Sequence, residues 1–111
     1  MRYRKLKFKP EYLRLLKEGR KKTTIRLEKK YRIGETVYLA DTNGKIYGKA
    51  VIEDVVEKKL GELTNRDALV DGFENLAELL TILREIYGEV GRDKTLYIYH
   101  LKVLNWSRSP P

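Results

Sequence analysis

Two β-prone runs joined by Asp41-Thr42-Asn43-Gly44 limit the architecture more than any other part of the chain. Thr36 to Ala40 and Ile46 to Val56 are rich in valine, isoleucine and tyrosine, and Asn-Gly between two such runs is the strongest short signal for a hairpin. Gly48 inside the second run implies a bulge or bend, as a barrel-like sheet requires. A further apolar run, Thr95 to Leu104, is long enough to cross a sheet twice if it bends. Near the start, Tyr3, Lys5 and Lys7 alternate with Arg4, Leu6 and Phe8, which fits a short half-buried strand with a basic outer face that stops at Pro10.

Helices are expected between these strands. Pro10 followed by Glu11 is a helix start, Tyr12, Leu15 and Leu16 share one face, and Gly19 is the stop, so the first helix spans about Pro10 to Glu18. Thr64 to Leu69 reads as a short capped helix ending near Asp71-Gly72-Phe73. Asn75 with Glu78 three residues on opens a longer helix, lined by Leu76, Leu79, Leu80, Leu83 and Tyr87 and ended by Gly88. The stretch from Gly19 to Glu35 is too polar for a core element and is expected as a loop, with Gly34 in a positive-φ turn. With 111 residues and no repeat or linker, the expectation is one α+β domain over residues 1–105, of four to six mainly antiparallel strands and about three helices, with 106–111 a flexible tail.

Composition removes several chemistries. There is no cysteine, and His100 is the single histidine, so disulfides, zinc fingers, iron–sulfur clusters and thiol catalysis have no residues to rest on. The serines are Ser107 and Ser109, both near the C-terminal end, which leaves threonine, lysine, tyrosine and carboxylates for any hydrolysis. His100 lies in an apolar run and reads as structural; Tyr97 and Tyr99 alternate in that run and read as half-buried tyrosines or stacking platforms, and Trp106 as the closure of a barrel end. No metal and no cofactor is expected. No apolar run reaches the roughly 18 residues of a membrane span and no signal-peptide pattern opens the chain, so a cytoplasmic location is expected. Glutamine is absent and Lys plus Glu supply 25 residues, a balance associated with hyperthermophilic proteins.

The formal charge of +8 is unevenly placed. Residues 1–33 hold 14 bases and three acids, a net +11, while residues 34–111 hold 10 bases and 13 acids, a net −3. Such a split points to an anionic partner at the N-terminal third, nucleic acid before acidic membrane, with a solvated basic surface as the alternative. The densest part is Gly19-Arg20-Lys21-Lys22-Thr23-Thr24-Ile25-Arg26, four cations and two hydroxyls directly after a helix. A glycine there frees the backbone so that the side chains converge on one anion. No GxxxxGK followed by Ser or Thr occurs, so a triphosphate loop has no support.

The order of motifs adds to this. Gly19 to Arg26 after an amphipathic helix, Gly34-Glu35 opening a strand, the Val-Ile-Glu-Asp-Val run, Asp71-Gly72-Phe73 before a leucine-rich helix and a final apolar strand together resemble the activating signal cointegrator homology (ASCH) domain. The resemblance covers about residues 3–104, and the signature of glycine, lysine, hydroxyl residue and arginine falls on Gly19, Lys21, Thr24 and Arg26. It implies a small, partly closed β-barrel of the PUA-like superfamily, with the signature loop lining a cleft proposed to bind RNA. Arg20, Lys21, Lys22, Thr24 and Arg26 would then form the nucleic-acid-binding surface, phosphate contacts giving affinity and a base entering the cleft giving specificity. A bacterial branch, small N4-acetylcytidine amidohydrolases, shares Gly-Arg-Lys-x-x-Thr-Ile-Arg around the same loop. That resemblance implies Lys21 as proton acceptor and Thr24 as nucleophile. The family's glutamate proton donor is replaced here by Asp71, with Glu74 three residues later as the alternative acid. A shorter carboxylate sits roughly an ångström back, which weakens proton transfer unless the backbone moves in. The partner is thus RNA or another nucleic acid on the first reading and an acylated nucleoside on the second.

Overall fold

A computed structural model describes residues 2–111. Five strands, β1 (Arg4–Lys7), β2 (Thr23–Arg26), β3 (Thr36–Ala40), β4 (Ile46–Lys59) and β5 (Thr95–Trp106), form one sheet of order β1-β3-β4-β5-β2. Only β1–β3 is parallel; the other three neighbour pairs run antiparallel. Three helices, α1 (Pro10–Lys17), α2 (Asn65–Val70) and α3 (Leu76–Tyr87), complete the expected α+β architecture, with a short 3-10 turn at Leu60–Glu62. The sheet curls into a half-barrel, as the PUA-like expectation required.

The local signals act where they were expected. Thr64 accepts from the Asp67 N–H and Asn75 from the Glu78 N–H, each satisfying one of the free donors of a helix start. Gly19 (φ +78°) and Gly88 (φ +75°) follow α1 and α3 in a backbone region that other residues avoid. Between β3 and β4, Asp41 closes the hairpin by accepting from the N–H groups of Asn43 and Lys45, and Gly44 (φ +87°) makes the turn. A Cβ on Gly48 would collide with the Asn105 carbonyl and meet the Trp106 ring, so glycine here permits close approach of β4 to the end of β5.

β4 and β5 are long, and register shifts at Lys49/Ala50 and Ile52/Asp54 bend them. Their two halves consequently serve different cores. Ala50, Ile52, Tyr99 and Leu101 pack with Leu6, Val37, Leu39 and the α1 residues Leu13 and Leu16. Leu96 and Ile98 pack with Ile25, Ala68, Phe73, Leu79 and Leu83, beneath α2 and α3. Tyr12 touches both cores, and its ring meets Phe73 edge-on at 5.9 Å. Trp106 is the last residue of β5, and the Ser107 N–H donates to the Tyr47 carbonyl at 2.8 Å.

One expectation fails. The stretch after Gly19 is not wholly a polar loop: Thr23–Arg26 is the edge strand β2, paired antiparallel to Tyr97–His100, and Thr23, Thr24 and Ile25 are buried. Two threonines and an arginine gave no apolar alternation to read. Their polarity is absorbed by hydrogen bonds within the protein, which permits burial without loss.

Candidate functional site

β2 and β1 are the two edges of the open sheet, and the cleft lies at the seam between them. Arg26 on β2 donates from Nη2 to the Lys7 carbonyl at the end of β1, 2.9 Å away, and from Nε to Thr24 Oγ1, also 2.9 Å. It therefore ties the seam together. Its guanidinium stands 5.2 Å from the Phe8 ring centroid, and no carboxylate pairs with it among the described residues.

Gly19 turns the chain out of α1 and the N–H groups of Arg20 and Lys21 both donate to the Leu15 carbonyl, which aims the Lys21 side chain inward. Lys21 is only 5% exposed and Asp71 3%. Lys21 Nζ lies 3.0 Å from Asp71 Oδ1 and 3.1 Å from the Asp71 carbonyl, and Thr23 Oγ1 donates to the same Oδ1 at 2.8 Å. The rings of Tyr12, Phe73 and Phe8 surround the amine at 5.4, 5.8 and 6.0 Å. Gly72 (φ +96°) makes this packing possible, since a Cβ there would lie 3.1 Å from Lys21 Cβ and 3.2 Å from Leu15 Cδ1.

Burial lowers the Lys21 pKa and raises that of Asp71, against their mutual attraction and hydrogen bonding. Burial thus disfavours the charged form of each group, while the 3.0 Å contact between them favours the ion pair. The nearby Arg26 charge also disfavours the ammonium. Ionisable groups perturbed by burial and by a specific charge partner at a cavity wall cluster at functional sites.

Above the pair lies a cavity of about 190 Å³. Lys21, Asp71, Thr24 and Arg26 line it with apolar side chains from α3, and Lys7 and Lys9 stand at its rim. Of the residues expected from sequence, these four come together. Arg20 and Lys22 do not: both are exposed and absent from the cavity wall, so the expected convergence of four cations on one anion is not what the chain builds. Glu74 is likewise exposed and outside the cavity, leaving Asp71 as the acid within it. Thr24 faces the cavity but its hydroxyl accepts from Arg26, whereas Thr23 is the hydroxyl that reaches Asp71.

Thr23, Tyr12, Phe8 and Phe73 carry no site role in the reading of the sequence. The one available signal was the Asp-Gly-Phe triplet, whose glycine sits against Lys21. His100 is half-buried in β5 opposite Thr23. Tyr99 is fully buried; its hydroxyl donates to the Glu28 carbonyl and accepts from the Lys30 N–H, so it anchors the loop after β2. Tyr97 is partly buried against the core. Among the described residues no three histidine, aspartate or glutamate side chains gather as metal ligands, and no helix is long and apolar enough to cross a membrane.

No protein-family model matches the sequence, and no curated protein does. Solved structures do match the fold. An ASCH domain from Lactobacillus crispatus superposes with a TM-score of 0.76 at 19% identity, over 84% of this chain and 70% of that one. A protein from Enterococcus faecalis of family DUF984 gives 0.75 at 15% identity, over 96% and 83%. The ASCH protein of Zymomonas mobilis gives 0.69 at 13% identity, over 93% and 71%. At these identities the likeness is one of fold, and it agrees with the order of motifs along the sequence. The half-barrel, its seam and the helices around it are those of an ASCH domain: that is the fold this chain adopts.

Proposed function

We propose that the protein binds single-stranded RNA and takes one unstacked base into the cleft between β1 and β2. The observation that carries this reading is the cavity itself: about 190 Å³, walled by aromatic and aliphatic side chains, with polar groups at its base and cations at its rim. Pockets for drug-sized ligands run roughly 300–1,000 Å³, so this one suits a single ring system. Lys21 and Asp71 are too deep to meet phosphate and instead present a donor and an acceptor to a base edge. Phosphate contact falls to Lys7 and Lys9 at the rim and to Arg26, which lacks a carboxylate partner. Fluorescence anisotropy with a labelled single-stranded RNA tests this. Lys7→Ala with Lys9→Ala should weaken binding about tenfold at low salt, and unchanged affinity would sink the proposal.

One observation favours a second reading, a metal-independent amidohydrolase for N4-acetylcytidine or a related acylated nucleoside. Lys21, Thr24 and Asp71 line one cavity, and Lys21 has its basicity lowered toward the range useful for a general base. Arg26 donating to Thr24 Oγ1 would stabilise the developing alkoxide. Thr24 Oγ1 would attack the acetyl carbon as its proton passes to the Lys21 amine, directly or through a water. The C–N bond would break as the leaving amine gains a proton from the pair, and water would hydrolyse the acetyl-threonine ester. Acetate release from N4-acetylcytidine, lost in Thr24→Ala, is the expected result; no release by the wild type rejects this reading.

A further inference from the structure

A second cavity, of about 330 Å³, adjoins the cleft. It is formed by Arg26, Leu27, Glu28, Lys30, Tyr31 and Tyr87, and the only residues it shares with the first cavity are Arg26 and Tyr87. These two side chains are therefore the partition between the cavities. Both are held: the Tyr87 hydroxyl donates to the Ile25 carbonyl at 3.2 Å, and Arg26 makes its two bonds to Thr24 and Lys7. The hydrogen-bond partners of Arg26 are neutral oxygens, and among the described residues no carboxylate forms an ion pair with it where the two cavities meet.

Like the first cavity, the second carries two tyrosines, Tyr31 beside the shared Tyr87, and its cation besides Arg26 is Lys30, whose ammonium lies 3.4 Å from the exposed carboxylate of Glu28. Tyr31 is fixed at the mouth by an edge-on contact to Tyr99 at 5.4 Å and by the Arg4 guanidinium 4.6 Å from its ring centroid. Two adjoining spaces, the second of them large enough for a base with its sugar, on either side of a guanidinium with no paired carboxylate match the repeat of a single-stranded nucleic acid: base, phosphate, base. Successive bases stacked on aromatic side chains beside a cationic backbone contact are the general solution for binding such strands.

Resting on the proposed function, we infer that the Tyr31–Tyr87 cavity is a second nucleotide subsite, so that the protein's recognition unit is a dinucleotide whose linking phosphate is held by Arg26. The Glu28–Lys30 pair leaves this subsite without a free cation of its own beyond Arg26, which restricts it to the sugar and base of the second residue. The first cavity selects the base, and the second adds affinity and direction along the strand.

Calorimetric titration with the 5′- and 3′-monophosphates of the four ribonucleosides and with ApA, CpC, GpG and UpU tests the inference. The preferred dinucleotide should bind about tenfold more tightly than the better monophosphate of its base, a gain in the lower range for one base stacked on an aromatic ring. Tyr31→Leu should remove that gain and leave monophosphate affinity unchanged. Lys30→Ala removes a solvated side chain that bears on folding little but leaves the Glu28 carboxylate unpaired beside the bound dinucleotide, and should cost the dinucleotide about threefold and the monophosphate nothing. Equal affinities for dinucleotide and monophosphate, or equal losses for both ligands in these variants, overturn the subsite while leaving the cleft reading in place. Failure of every ligand to bind overturns the cleft reading and the subsite with it.

Discussion

Lys21 and Asp71 form the most buried ionisable pair of the protein, and their arrangement sets a residue-scale prediction. Removing one member leaves the other buried and uncompensated, which costs about 3–5 kcal/mol, whereas replacing a buried pair by apolar groups is often neutral or stabilising. Asp71→Asn or Lys21→Met alone should therefore lower the urea midpoint strongly. Because Thr23 donates to Asp71 Oδ1, a fair apolar replacement must also remove that hydroxyl. Lys21→Met/Thr23→Val/Asp71→Leu is expected to fold more stably than either single variant while losing ligand binding. Comparable loss of stability in the triple variant would mean that the pair holds the fold together rather than serving the cleft. Tyr99→Phe is a different case. It leaves the Glu28 carbonyl and the Lys30 N–H without their shared partner, a loss of about 1–3 kcal/mol, and should loosen the loop that forms the second cavity. Hydrogen exchange at the Lys30 amide reads this directly.

Glycine placement decides how the elements meet. Gly34 and Gly72 both have φ near +90°, but nothing lies within 4 Å of a Cβ at Gly34, while one at Gly72 would press on Lys21 and Leu15. Gly34→Ala should cost only the backbone strain, about 1 kcal/mol. Gly72→Ala should cost more, about 2–3 kcal/mol, and reduce ligand affinity as well, since it moves Lys21. Thermal unfolding of both variants, with binding measured on each, separates strain from displacement. The junction of β1 and β3 contributes its own pH dependence. Arg4 makes two hydrogen bonds of 2.8 Å to Glu35, next to the start of β3, and that bonding holds the Glu35 pKa below the ordinary carboxylate range. A carboxyl with a depressed folded pKa contributes stability that is present above its unfolded pKa and lost as the pH falls through the folded value. Urea midpoints taken from about pH 6 to pH 3 should fall more steeply for the wild type than for Glu35→Gln. Parallel curves would assign the acid sensitivity elsewhere.

For the whole molecule, the +11 of residues 1–33 is spread over β1, α1, β2 and the loop beyond, and part of it lies away from the seam, as with Lys17 beside Trp106 and Lys29 beside Glu57. Much of it is not engaged with ligand-sized space: Arg20 and Lys22 are solvated, and Lys21 is neutralised by Asp71. The net charge thus overstates the number of phosphate contacts. With Lys7, Lys9 and Arg26 as the contacting cations, the logarithm of the RNA affinity should fall against the logarithm of salt concentration with a slope of about −2. A slope near zero would remove the phosphate contacts from the reading, and a much steeper one would enlist the outer lysines.

Local chemistry in the chain determined the hairpin at Asn43-Gly44, the three helices with their caps, the α+β class and the basic N-terminal third. Each of these follows from neighbours in sequence, through turn conformations, periodicity and charge count. The resemblance to ASCH domains added the half-barrel and pointed to Lys21, Thr24, Arg26 and Asp71. Only the tertiary structure decided that Thr23–Arg26 is a buried edge strand, because it pairs with β5 and its Thr23 hydroxyl is satisfied by Asp71, 48 residues away. It also turned Lys21 from a surface cation into the partner of a carboxylate 50 residues away. The free energy of burying a charge depends on what stands beside it in space, and no count along the chain contains that information.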